Sequence, residues 1–586
     1  MNIITQGNLN DFCKNFNFNN ISETEKFEHF ANYIIVCNEY DSSQFNILDL
    51  HTGIGTQGID GVAIIVNNRI CFSVDEIKES IEFNKKLDVE FIFIQSKTSE
   101  KFEGTELEGF CRWVKTFFSF GTEFKTPQMK KFIEMAKLIF ENGRYFKKNL
   151  PSIKLYYVCN GKWNEDENLV SIINENKKEF DNLSLFSSVE IVPCDAKELQ
   201  KMYIRINSPI EVEITFQDKV ILPPIDGVEV AYSGFLPFSE FKKLIIDENG
   251  KLRNVFEDNI RGFLGTDDNP ANESMRKTLE EKDFDQFCIL NNGVTIVAEK
   301  IIGPGTKINI INYQIVNGCQ TSNVLYMCRD INGIEKVMIP VKIISTSDQE
   351  IRVNVTRSTN NQTKVSIEQL ESLTNFQKEL ELYYKAYFEK FEADNILYYE
   401  RRKNQYKEQM LNPLNIIDVE NQIKNFASMF NEKPYIVSGY YGKLLKGLGK
   451  EIFNDSHEKI LYVCSSIAYI KLIRLFNDKT IDEKLWRFRY HMLMVVKYFI
   501  TGSLPPRIES SKVTGYCQKI IDVLVDDEQC MDAYKEVEKF LLSIDSDIKI
   551  SNRKSSEKKK TAEIILEKVR NLVLNKGKNI DLSDSH

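Results

Sequence analysis

The sequence has few of the residues that structural metal sites need. Only five histidines occur in 586 residues, none at a spacing suited to zinc. The twelve cysteines are scattered without a Cys-x-x-Cys pair, and Cys319 and Cys328 lie too far apart for a knuckle, which excludes a structural zinc site. Cys37, Cys71, Cys288 and Cys464 sit in apolar runs and read as reduced core residues. No apolar stretch approaches ~18 uncharged residues, which argues against a membrane span. The opening Met1-Asn2-Ile3-Ile4-Thr5-Gln6 lacks a basic region followed by an apolar core, so no signal peptide and a cytoplasmic location are expected. Positive charge is short too. A net charge of −9 argues against a protein that coats nucleic acid, but not against a nuclease, whose cleft needs only local basic groups and a metal.

What is present is length and alternation. The chain is long enough for about three to four domains. Ser22-x-x-Glu25 is a capping box, and Phe27, Phe30, Ala31, Ile34 and Ile35 then repeat at helical spacing, with Glu28 at the margin of that stripe. Val62–Val66 is a short apolar run ending at Asn67-Asn68, and residues 89–95 are a second run rich in Phe and Ile; both read as strands. Leu107, Phe110, Cys111, Val114, Phe117 and Phe118 predict an amphipathic helix. Helix (127–145), strand (153–158), helix (164–180) and strand (189–192) follow, which implies helices packed on a central sheet. The first domain closes near residue 205. Mixed strands and helices with polar loops fill 206–370, and long helical segments dominate 371–586.

Chemistry concentrates at two strand ends. Asp60, in Gly58-Ile59-Asp60-Gly61, begins the first strand, and Gln95-Ser96-Lys97 ends the second. Asp60 can hold a hard cation through oxygen, and Gln95 can offer its carbonyl to the same ion. Lys97, two residues along, projects from the same face as Gln95, where it can orient the attacking water and balance phosphate charge. A metal there would polarise a phosphoryl oxygen and lower the pKa of its water. The bland alternative is that Asp60 caps a turn and Lys97 is a solvated strand end.

This segment resembles a PD-(D/E)XK nuclease domain of the Mrr-like variety, in which Gln replaces the usual acid of the third motif. The resemblance rests on Phe27-Glu28, the Gly58-Ile59-Asp60-Gly61 turn and Gln95-Ser96-Lys97. It implies a restriction-endonuclease-like α/β/α domain over 1–205, an active-site set of Glu28, Asp60, Gln95 and Lys97, Mg²⁺ or Mn²⁺ on Asp60 and Gln95, and DNA rather than RNA as substrate. The turn Thr52-Gly53-Ile54-Gly55-Thr56-Gln57-Gly58 carries more glycines than that fold needs.

Three polar loops mark the middle unit. Asn291-Asn292-Gly293 reads locally as a hairpin turn. Asn317-Gly318-Cys319-Gln320-Thr321 joins a strand to a helix expected at 321–329, and the third loop contains Arg357, Asn360 and Gln362. Together they supply amide side chains, a glycine permitting close backbone approach and a helix N-terminus, which suits an anionic or nucleotide-like ligand. Arg357 and Glu400-Arg401-Arg402 would add charge. These loops, with Arg261-Gly262-Phe263-Leu264-Gly265 and Tyr398-Tyr399-Glu400-Arg401-Arg402, resemble the AIPR family of abortive-infection, phage-resistance proteins over roughly 220–405. A weaker likeness to ParB-like folds departs from their pattern at Thr321 and Thr363, where a basic residue is expected after the Gln.

The resulting expectation is a multi-domain α/β protein: nuclease domain (1–205), central α+β domain (206–370) and mostly helical C-terminal region (371–586). Its function would be antiphage defence through DNA cleavage, with the AIPR region as sensor or regulator. Two alternatives stay open: a non-catalytic ligand- or partner-binding sensor on an inactive nuclease fold, and a ParB-like nucleotide-binding switch. A nucleotide or phage-derived trigger and a homo-oligomer also stay open.

Overall fold

In the computed structural model the N-terminal segment opens with α1 (Ile3–Phe16) and α2 (Glu23–Tyr40). The structure describes the chain apart from residues 1–2, 41–44, 54–57, 257–269, 352–354, 356–366, 392–394, 402–404, 438–450, 584–586 and scattered single and paired positions. The capping box forms as the sequence predicts: the Glu25 N–H donates to Ser22 Oγ at 3.3 Å, and the Ser22 N–H to Glu25 Oε2 at 3.2 Å. Next come β1 (Gly61–Val66), β2 (Arg69–Cys71), α3 (Val74–Asn84), β3 (Val89–Lys97) and α4 (Gly104–Phe117). Then follow α5 (Pro127–Glu141), β4 (Ser152–Cys159), α6 (Glu167–Asn182), β5 (Ser188–Cys194) and α7 (Ala196–Ile206).

The sheet runs β2-β1-β3-β4-β5, with β1 antiparallel to both neighbours and β3, β4 and β5 parallel. Side chains alternate between two cores. Val62, Ile64, Phe91, Phe93, Ile153 and Leu155 face one shared with α3 to α6. Ala63, Ile65, Ile92, Ile94, Tyr156 and Val158 face another shared with α1, α2 and α7. Helices therefore cover both faces, which is why the β1 sequence reads as a continuous apolar run. The hairpin strand β2 and the helix α3 lie outside the expected element order. β2 is only three residues long, and five of the eleven residues of α3 are charged.

The chain divides into two compact units, Met1–Ile206 with Leu370–His586, and Asn207–Gln369. Within the first, helices Val419–Met429, Ile460–Asn477, Arg489–Thr501, Lys512–Val525 and Asp527–Ser543 share one apolar core. Ile460–Asn477 has the length and hydropathy of a membrane span, yet 89% of it is buried inside the protein. These helices are tied to the N-terminal α/β/α layers. Arg69 pairs with Glu420 at 2.9 Å, Lys479 with Glu25 at 2.5 Å, and the Asn477 side-chain N–H donates to the Phe16 carbonyl at 2.7 Å.

The second unit holds β6 (Glu211–Thr215), β7 (Asp218–Ile221), β8 (Val230–Pro237), α8 (Phe238–Ile245), α9 (Pro270–Glu280), α10 (Phe287–Leu290), β9 (Val294–Ile302), β10 (Lys307–Asn317), α11 (Cys319–Met327) and β11 (Met338–Ser345). Its sheet order is β6-β10-β9-β11-β8-β7, antiparallel except for the β9–β11 pair. One face is packed by α8 to α11. Asn291-Asn292-Gly293 is not a hairpin turn. It links α10 to β9, because the Asn291 side-chain N–H donates to the Phe287 carbonyl at 2.8 Å and so caps the helical turn. Cys288, expected in the core, is half-buried on that same turn; Cys37, Cys71 and Cys464 are buried.

Candidate functional site

Asp60 immediately precedes β1, and its N–H donates to the Ile94 carbonyl at 2.8 Å, which fixes it beside the end of β3. Asp60 Oδ2 accepts the Ser96 N–H at 2.7 Å. Loss of solvation pushes the Asp60 carboxyl up to about 6, and the neighbouring Glu28 charge pushes the same way. The Ser96 amide and Lys97 offset part of that rise. Two carboxylates thus crowd one strand end, where a cation would relieve their repulsion.

Gln95 is 1% exposed, and its carbonyl oxygen has no hydrogen-bond partner among the described residues. A buried amide acceptor left unpaired costs free energy, so such a group is a functional signal. Gly58 lies against it: at φ +88° a Cβ would stand 2.5 Å from Gln95 Nε2. That close approach accounts for one glycine of the turn. Gly53, at φ +90°, serves the backbone conformation, and Gly55 lies outside the described residues. Asn32 braces the turn from α2, donating to the Asp60 carbonyl at 3.2 Å.

Lys97 leaves β3 on the same side as Gln95 and pairs with Glu106 of α4 at 3.0 Å, both residues half-buried. Glu28 is held by His51, whose Nε2 lies 3.2 Å from Glu28 Oε2. The His51 and His29 rings pack with centroids 4.8 Å apart and planes tilted by 47°, and burial above all drives the His29 pKa well below its ordinary value. Glu28, Asp60, Gln95 and Lys97 therefore gather at one end of the sheet, with Ser96, His51 and Glu106 as partners that sequence reasoning did not single out. The signal for His51 was its place just before the glycine turn.

The hard oxygen donors at this end of the sheet are the Asp60 carboxylate, the unpaired Gln95 carbonyl and the Glu28 carboxylate, the donor types that a hard cation takes. Among the described residues no three of His, Cys, Asp or Glu converge into a metal-ligating group. The donor set is thus too sparse for a closed structural site.

In the second unit, Gly318 adopts φ +92° at the β10–α11 junction, where a Cβ would sit 2.7 Å from Val294 Cγ2. The polar residues around it are turned inward. Ser322 Oγ donates to the Gly318 carbonyl at 2.9 Å, the Asn323 side chain donates to the Cys319 carbonyl at 2.9 Å, and Thr321 is buried with its hydroxyl toward Met275 Sδ. Asn317 is half-buried and Asn292 exposed. Gln320 is half-buried, in the first turn of α11. Helix α11 begins two residues earlier than the sequence suggests. Arg357, Asn360, Gln362 and Arg402 lie outside the described residues. Arg401 belongs to the first unit, where its guanidinium pairs with Glu381 at 3.0 Å.

The sequence model of the AIPR proteins matches residues 256–574, more than half of the chain. The chain belongs to the AIPR family. No curated protein and no solved structure matches it. Membership places it with abortive-infection, phage-resistance proteins. The AIPR match runs well past the 220–405 stretch that carries the motifs, through the helical core of the first unit. That region reaches the candidate site. Trp486 Nε1 and Arg489 Nη2 donate to the Asp49 carboxylate at 2.9 and 3.1 Å, two residues before His51. Burial alone would raise the Asp49 carboxyl, but Arg489, Lys131 and the Trp486 hydrogen bond hold it below its ordinary value.

Proposed function

We propose that this AIPR protein defends against phage by cutting DNA with Mg²⁺ or Mn²⁺ at the β1–β3 strand ends, under the control of its AIPR region. The observation that carries the reading is the buried, unpaired Gln95 carbonyl beside Asp60, in a sheet whose antiparallel hairpin and parallel strands are covered by helices on both faces. That architecture is compatible with a restriction-endonuclease-like domain. Asp60 and Gln95 would hold the cation, with Glu28 binding one of its waters or a second ion. The bound ion supplies Lewis-acid polarisation of a phosphoryl oxygen and a more acidic water. Lys97, on the exposed side, orients the attacking water and offsets phosphate charge. Ser96 keeps one Asp60 oxygen engaged and so directs the other.

Control has a physical route, because the helices of the AIPR match clamp Asp49 on the loop that carries His51. The second-unit loops supply neutral amides, which recognise a polar ligand edge but serve as neither acid nor base near pH 7. One observation favours the non-catalytic sensor instead: the Lys97 ammonium is already paired with Glu106.

Incubating the purified chain with plasmid and linear DNA in Mg²⁺ or Mn²⁺, with and without EDTA, separates the readings. Cleavage that EDTA abolishes supports the nuclease. Intact DNA under all conditions, from a chain that still protects cells, supports the sensor.

A further inference from the structure

We propose that His51 is a positioning residue that holds the Glu28 carboxylate in the site through one fixed imidazole tautomer. This rests on the nuclease reading. His51 pairs with Gly61 in an isolated antiparallel β-bridge, so the backbone itself sets the ring next to Asp60. Its two nitrogens meet different neighbours. The Gly53 N–H donates to Nδ1 at 3.3 Å, which makes Nδ1 the lone-pair nitrogen of the neutral ring. The ring proton is then on Nε2, which faces Glu28 Oε2 at 3.2 Å. Glu28 Oε1 is left without a partner among the described residues, available to a cation's water.

The ring is also held in place. His29 packs on it with centroids 4.8 Å apart, and His29 stacks in turn on Phe18 at 4.7 Å and 4°. The chain on either side is anchored. Asp49 is gripped by Trp486 and Arg489, and the Thr126 hydroxyl donates to the Thr52 carbonyl at 2.8 Å. A glutamate side chain alone would swing away from Asp60, because the two carboxylates repel. A rigid N–H donor on a clamped loop opposes that swing before any cation arrives. Partners that orient metal-site carboxylates in this way are typically worth about 10–100-fold in affinity or rate.

The test uses the full chain and two readouts, DNA cleavage rate and Mn²⁺ affinity by titration calorimetry. His51→Gln keeps an N–H donor at the Nε2 position, whereas His51→Asn places its amide near Nδ1, short of Glu28. The inference expects His51→Gln to stay within a few-fold of wild type, and His51→Asn and His51→Leu to lose about 10–100-fold in both readouts. A purely structural role would lower the melting temperature of Gln and Asn variants alike without separating their rates. Equal values for His51→Gln and His51→Asn overturn the inference alone, provided that Asp60→Ala is inactive. A wild-type chain that binds no Mn²⁺ and cuts no DNA overturns the nuclease reading, and this inference with it.

Discussion

The two sheets of this protein use the same device to opposite ends. In each, a glycine with positive φ lets backbone press against a strand end: Gly58 on the Gln95 amide in the first unit, Gly318 on the apolar Val294 in the second. At the first, the Gln95 side-chain carbonyl is buried and unpaired among the described residues, and the Glu28 charge raises the Asp60 pKa. At the second, Ser322, Asn323 and Asn291 all bond to nearby main chain. The contrast is between a buried polar atom without a partner at one strand end and local main-chain bonding at the other.

The comparison breaks most visibly at the acid and the amine. Asp60→Ala and Lys97→Ala should each lower DNA cleavage by about a hundredfold or more, because transition-state charge loses its support. Melting temperatures should stay near wild type, since Lys97 is only half-buried and burial already disfavours the charged form of Asp60. Rates unchanged in both variants would return this strand end to ordinary structure.

A glycine pair sharpens the contrast. Gly58→Ala and Gly318→Ala both place a Cβ in left-handed backbone against close neighbours, so each should cost on the order of 1–3 kcal/mol of stability. Only Gly58→Ala should also slow cleavage, because it displaces Gln95. Urea unfolding measured beside cleavage rates gives the answer. Equal loss of cleavage in the two would show that stability alone is being read.

A smaller effect is expected at the amide itself. Gln95→Glu adds a carboxylate that hard cations prefer, so Mg²⁺ binding should tighten severalfold. Weaker binding by titration calorimetry would remove Gln95 from the ligand set.

The smallest effect concerns the clamp. The Asp49 carboxyl is held below its ordinary value in the folded chain, so its contribution to stability is complete above the unfolded value and is lost as pH falls below about 4. Melting curves from pH 7 to 3 should therefore fall less steeply for Asp49→Asn than for wild type. Parallel curves would mean the clamp adds nothing.

Much of this was legible in sequence where the signal is local. The runs at Val62–Val66 and Phe91–Ile94 are continuous because both faces of the sheet are covered, and the Ser22–Glu25 capping box is complete within four residues. Local signals also mislead. Asn291-Asn292-Gly293 has the composition of a hairpin, yet Phe287 four residues earlier takes the Asn291 side chain and makes a helical cap. What the sequence hides is long-range. His51 gains its role from Glu28 on another element, and Asp49 from Arg489, 440 residues away. No periodicity encodes such pairs. The union of the N-terminal layers with the C-terminal helices depends on contacts of that kind.

The most direct test of the cation site is anomalous diffraction from crystals of the full chain grown with Mn²⁺. The account predicts a peak at bonding distance from an Asp60 carboxylate oxygen and from Gln95 Oε1, absent in Asp60→Ala crystals. Saturating Mn²⁺ with no peak at that strand end, in a chain that still cuts DNA, would contradict it.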